Sequence, residues 1–106
     1  MDDKMVDRAA KVLLDAAPAG SRVIVFGSHA RGTARPDSDI DFLVVEPVVE
    51  DRFAEIFRLR KAVEAVFGDH VQPVDLVVTD EAQYRRYQET PNTLAFEATT
   101  GGRVYG

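Results

Sequence analysis

The stretch Gly27-Ser28-His29-Ala30-Arg31-Gly32, followed by Ser38-Asp39-Ile40-Asp41-Phe42, decides how this chain is read. It sets a Gly-Ser turn at the end of one apolar run, Val23-Ile24-Val25-Phe26, and two carboxylates at the head of a second, Ile40 to Val45. Side chains alternate faces along a strand, so Asp39 and Asp41 project from one face with their backbones about 6.5–7 Å apart. Two like charges at that separation repel by roughly 2–3 kcal/mol at an effective dielectric of about 20. A divalent cation accounts for holding them together. Carboxylate-only ligation beside a phosphate-binding turn is the chemistry of magnesium and a nucleoside triphosphate.

Outward from this segment, the chain alternates helical and strand patterns. Met5, Ala9, Val12, Leu13 and Ala16 have helical spacing over residues 3–17, and Pro18-Ala19-Gly20 ends that helix. Phe53, Ile56, Phe57, Val63, Val66 and Phe67 are expected to mark one face of a long helix over residues 50–68. Val74 to Val78 reads as a third strand. Asp80 begins a helix with Glu81 in its first turn, and Asn92 is expected to cap another that runs to about Thr99. Gly101-Gly102 then turns into a short terminal strand, Arg103-Val104-Tyr105.

The fold class is therefore α+β, a small mixed sheet flanked by helices in the order α-β-β-α-β-α-α-β. A short link between the first two strands predicts an antiparallel pair, and a long helix between the second and third predicts a parallel crossover. On that topology the end of the first strand, at Gly27, meets the heads of the second and third, at Asp39, Asp41 and Asp75. One sheet end thus collects a turn and three carboxylates.

Each candidate has a plainer reading beside the chemical one. Asp39 and Asp41 are either a solvated loop-to-strand junction or ligands bridging two magnesium ions. Asp75, within Pro73-Val74-Asp75-Leu76, is either paired with an arginine or the third ligand, helping to take a proton from the nucleophile. Asp37 shares the spacing but stands after Pro36 in the loop, outside the expected metal site. Gly27 lets a backbone approach a polyphosphate, and the Ser28 hydroxyl is the natural donor to it. Arg31 is either a phosphate clamp or a salt bridge that orients the aspartates. Arg35 is a weaker phosphate candidate; Ser38 is expected to bond the backbone and shape the start of the strand, and counts with Gly27, Ser28 and Arg31 among the expected nucleotide-binding residues. His29 reads as an exposed helix residue and His70 as a turn residue. Arg58, Arg60 and Lys61 read as a solvated face, and Tyr84 and Tyr87 as surface residues.

Composition narrows the class. A chain of 106 residues, 45% hydrophobic and 29% charged, reads as one domain over residues 1–106. Without cysteine, thiolate ligands and a Cys nucleophile are excluded. Met1-Asp2-Asp3-Lys4 opens no signal pattern, and no apolar run approaches a membrane span, so cytoplasmic residence is expected. The net charge of −5 disfavours a grip on a nucleic-acid backbone, since phosphate neutralisation supplies most of that affinity.

Taken together, Gly27-Ser28-x-Ala30-Arg31-Gly32, Ser38-Asp39-x-Asp41-Phe42 and Val74-Asp75-Leu76-Val77 resemble the polymerase-β-like nucleotidyltransferase superfamily. More narrowly, the chain is similar to the minimal nucleotidyltransferases of prokaryotes, the MntA type, including the closing Gly102-Arg103-Val104-Tyr105. The resemblance implies an antitoxin that, with magnesium, transfers AMP from ATP to a tyrosine of a HEPN-domain ribonuclease toxin. It implies Asp39, Asp41 and Asp75 as catalytic metal ligands and Gly27 and Ser28 as triphosphate contacts. Two alternatives stand beside it. One is a non-catalytic antitoxin that neutralises by contact. The other is adenylylation of a small molecule, with a partner chain supplying the wall that a chain this short lacks.

Overall fold

Hydrophobic spacing switches between helical and strand periods at the places expected, and the backbone follows it. The computed structural model describes residues 3–27, 30, 32, 33, 35, 38–68 and 72–106. Helix α1 (Asp3–Ala16) leads into strands β1 (Arg22–Phe26) and β2 (Ile40–Glu46). Helix α2 (Arg52–Phe67), strand β3 (Val74–Asp80), helices α3 (Glu81–Tyr87) and α4 (Leu94–Gly101), and strand β4 (Arg103–Tyr105) complete the order.

The four strands form one sheet in the order β3-β2-β1-β4. β1 runs antiparallel to both β2 and β4, and β2 runs parallel to β3 through the α2 crossover, as the loop lengths require. The Asp51 and Asp80 side chains accept from Ala54 N (3.1 Å) and Gln83 N (2.8 Å), and so start α2 and α3. For α4 the cap is Thr93, whose hydroxyl accepts from Phe96 N at 3.2 Å, rather than the expected Asn92. Asn92 instead takes a left-handed backbone (φ 69°), a conformation Asn tolerates better than most residues, and it turns the chain toward the cap.

Period-two alternation divides the core. Val23, Val25, Ile40, Phe42, Val44, Leu76 and Val78 face α1 and α2, which contribute Val6, Ala9, Leu13, Leu59, Val63 and Phe67. Ile24, Phe26, Leu43 and Val45 face the opposite way, against Tyr84, Ala95 and Ala98 of α3 and α4. The chain passes tightly under α4. A Cβ on Gly102 would lie 2.4 Å from the Ala98 carbonyl and 2.5 Å from Ile24, so this turn needs glycine.

Two expectations about faces are corrected. Phe53 and Phe57 are 85% and 63% exposed, and the stripe that α2 buries is Leu59, Val63 and Phe67. Val63 and Phe67 lie on the buried face as expected; Phe53 and Phe57 share its helical spacing, and only the position of the sheet leaves them outside. Tyr84, read as a surface residue, is buried; its hydroxyl bonds Thr99 Oγ1 at 2.6 Å, and Arg22 lies over its ring. Arg22 also meets Glu81 at 2.6 and 2.7 Å, tying β1 to α3. At the other edge, the Tyr105 hydroxyl donates to Asp7 and fastens β4 to α1.

A buried carboxyl at the end of β2 gives the core a pH-dependent element. Glu46 is 1% exposed, and burial pushes its pKa up to about 8, assisted by the hydrogen bond it shares with Glu55. Glu55 is held below its ordinary value by Arg58, which donates to it from Nε (2.8 Å) and Nη2 (3.0 Å). Arg58, read as part of a solvated face, also donates from Nη1 to the Ala16 carbonyl at 2.6 Å and so pins α1 to α2.

In urea unfolding, Phe42→Ala should cost about 3–5 kcal/mol, while Phe53→Ala should change stability by less than about 0.5 kcal/mol. The folded pKa of Glu46 lies above its ordinary 4.5, so its contribution is complete below 4.5 and is lost as pH rises through about 8. Stability should therefore decline across that interval. Glu46→Gln should flatten the decline, measured as the urea midpoint against pH.

Candidate functional site

Register sets Asp41 opposite Asp75. Phe26 pairs with Asp41 across the antiparallel ladder, and Asp41 pairs with Asp75 across the parallel one. Partners in register share a face, so Phe26, Asp41 and Asp75 form one row across three strands. The next rows are Ile24, Leu43 and Val77, then Arg22, Val45 and Thr79. Helices α3 and α4 cover the Ile24-Leu43-Val77 row. In the carboxylate row the cover reaches Phe26, while Asp41 is half-buried and Asp75 exposed.

Asp39 precedes β2 by one residue and is exposed; period two puts it in line with Asp41. The start of β2 is held by several hydrogen bonds. Ile40 N donates to the Pro73 carbonyl at 3.0 Å, continuing the ladder with β3. Gln72 Nε2 donates to the carbonyls of Ser38 (3.0 Å) and Pro73 (2.9 Å), clamping the two strand heads together. No sequence pattern singles out Gln72. Ser38 bonds the backbone at the strand start: its hydroxyl accepts from Arg35 N at 2.9 Å, and its own N donates to the Arg35 carbonyl at 3.0 Å.

Gly27 lies directly against this row. Its φ is +75°, and a Cβ built on it would stand 2.2 Å from Asp41 Oδ2. The Asp41 carboxylate therefore occupies the space that any side chain at position 27 would need. Ser28, Arg31, Asp37, His29 and His70 lie outside the described residues.

All three carboxylates offer hard oxygen donors, the chemistry that magnesium selects. Direct opposition of Asp41 and Asp75 is unfavourable for like charges, and a cation relieves it. Among the described residues, however, no three Asp, Glu, His or Cys side chains are gathered closely enough to hold a metal ion. The backbone thus aligns Asp41 with Asp75 without gathering three carboxylates at one point. On the same face, from the Leu43-Val77 row onward, a mostly apolar cavity of about 280 Å³ opens between β3, α3 and α4, with Tyr84, Tyr87 and Leu94 in its walls.

Comparison with known proteins bears on the fold as a whole. The family pattern described as "Nucleotidyltransferase domain" matches residues 6–96. A crystal structure of a toxin–antitoxin with AMP-PNP superposes with a TM-score of 0.60 at 24% identity, covering 100% of this chain and 74% of that one. A structure of the toxin–antitoxin MntA–HpeT with two aspartates changed to glutamate gives a TM-score of 0.57 at 24% identity, over 94% of this chain and 72% of that one. A putative nucleotidyltransferase from Sulfolobus solfataricus gives 0.51 at 28% identity, over 78% and 70%. No curated protein matches the chain. Among the described residues, no helix is long and apolar enough to cross a membrane.

Gly27→Ala should lower stability by about 1–2 kcal/mol through its left-handed backbone, and by more through the collision with Asp41. In an Asp41→Ala background the same substitution should cost only the backbone part. A double-mutant cycle in urea measures the difference.

Proposed function

The chain belongs to the nucleotidyltransferase domain family, and from that premise we propose that it transfers AMP from ATP to a protein hydroxyl. The acceptor on this reading is a tyrosine of a HEPN-domain toxin, which the transfer silences. One observation carries the proposal: the row that sets Asp41 against Asp75, with Gly27 packed on the Asp41 carboxylate. The fold shared with a toxin–antitoxin crystallised with AMP-PNP supports it.

Each residue then has a part in the transfer. Asp39, Asp41 and Asp75 would hold magnesium, which when bound neutralises the triphosphate and lowers the pKa of the attacking hydroxyl. Gly27 admits a phosphate close to the backbone, and Ser28 and Arg31 contact the triphosphate. Ser38 keeps the strand start in place for Asp39. The acceptor oxygen bonds to the α-phosphorus as the bond to the β-phosphate oxygen breaks. AMP becomes esterified, pyrophosphate leaves, and the acceptor proton passes to the exposed Asp75 carboxylate. The apolar cavity one row away offers walls for the base.

A second reading, neutralisation of the partner by contact alone, is favoured by the carboxylates not being gathered into a closed ligand set. The two separate in one experiment. With ATP, magnesium and the toxin, mass spectrometry should show added AMP on the toxin, and Asp41→Asn or Asp75→Asn should slow its appearance by about 100-fold or more. Absence of an adduct while ATP binds would refute the transfer. Protection of cells by an Asp39→Asn, Asp41→Asn double variant as fully as by the parent would establish the contact reading.

A further inference from the structure

β3 is an edge of the four-stranded sheet, with β2 as its neighbour. Ile40 N donates to the Pro73 carbonyl at 3.0 Å, which fixes the direction of each later backbone group in this parallel ladder. Asp75, Val77 and Thr79 turn their N–H and C=O groups toward β2. Those of Val74, Leu76 and Val78 point out of the sheet. The Val74 carbonyl accepts from Arg60 Nη1 at 3.2 Å. Among the described residues, nothing bonds the N–H or C=O of Leu76 and Val78.

The cavity of about 280 Å³ beside β3 reaches this edge. Val77, Val78 and Thr79 line it in succession, although Val78 packs on the α1–α2 side of the sheet and Val77 on the other. Arg52, the first residue of α2, lines it as well. A space bounded from both faces passes round the rim of the strand, so the rim is open. α2 thus flanks the edge with two bases, Arg60 at its head and Arg52 at its tail.

An open edge is a template for another extended chain, since main-chain bonds supply the affinity. A second copy of this chain suits it poorly. β3 carries Asp75 and Asp80 and no base, so each copy would bring two acids into one seam. A segment of another protein avoids that repulsion and finds Arg52 and Arg60 unopposed by its own bases when it is acidic.

Granting the transfer reading above, we propose that the β3 edge takes an extended segment of the acceptor protein as an added strand, with the acceptor tyrosine on the Asp75 face and acids on the other. Leu76 and Val78 hold its main chain. Alternate side chains then fall on opposite faces. A residue diagonal to Asp75 has its Cβ about 7–8 Å away, within reach of an aromatic side chain. Residues of the other face meet Arg52 and Arg60. The segment closes the outer side of the cavity and leaves its inner walls to the base.

Amide hydrogen exchange, resolved by residue with NMR, tests this on the full chain and the HEPN-domain toxin without nucleotide. In the free chain the Leu76 and Val78 amides should exchange readily, while those of Val77 and Thr79 are protected by β2. In the complex the Leu76 and Val78 amides should slow by about 100-fold or more. Arg52→Glu, an exposed change, should weaken that complex about tenfold. A complex that leaves both amides as they are in the free chain overturns the proposal even where AMP transfer is seen, and so does the absence of a complex. Protection in the complex with no AMP transferred on adding ATP and magnesium supports the docked strand and refutes the transfer. Protection already present in the free chain and growing with its concentration assigns the edge to a second copy and overturns the outside segment.

Discussion

Parallel pairing of β2 with β3 in a single register, Ile40 to Glu46 against Val74 to Asp80, is the constraint on which the rest of the structure depends. Because side chains alternate with period two, a slip of one residue would send Asp75 to the face packed by α1 and α2 and bring Leu76 out to the carboxylate row. Burial prevents that slip. Leu76 and Val78 are held among Phe42, Val44, Leu59 and Val63, and exposing such side chains costs about 1.5–3 kcal/mol each. The apolar core therefore sets the opposition of two acids that repel one another.

Unequal cover of the two sheet faces then separates structure from site. α1 and α2 are long enough to span one face from end to end. α3 and α4 are short, and their buried residues Tyr84, Ala95 and Ala98 pack with Ile24, Phe26, Leu43 and Val45. In the Phe26-Asp41-Asp75 row only Phe26 is buried; Asp41 is half-buried and Asp75 exposed at the rim. Small residues on α4 bring that helix close to the sheet, and Gly102 lets the chain turn beneath it into β4.

The two ends of β2 also treat acids in opposite ways. At its head, Asp39 and Asp75 stand in water, and Asp41 packs on Gly27. At its tail, Glu46 is enclosed, kept neutral by burial and shares a hydrogen bond with a second carboxyl that Arg58 neutralises. Depth relative to the helices decides this difference, since both ends belong to one continuous strand.

Much of this was legible from residue pattern. The eight elements, the mixed strand directions and the meeting of Gly27, Asp41 and Asp75 follow from apolar spacing, turn residues and loop length, which are local properties. What was not legible depended on neighbours distant in the chain. Phe53 and Phe57 repeat at helical spacing as well as Leu59 and Val63 do, and only docking on the sheet leaves the phenylalanines outside. Tyr84 became buried because Arg22 and Thr99 came to meet it, 62 residues earlier and 15 later. Gln72, Glu46 and Arg58 carry no motif; their parts arise from carbonyls and carboxyls that folding brings to them. Local sequence determined which strands and helices form and in what order, because those follow from the period of apolar residues. Tertiary structure alone decided which acids are hydrated, neutral or paired, because solvent access and partner distance exist only once the layers have packed.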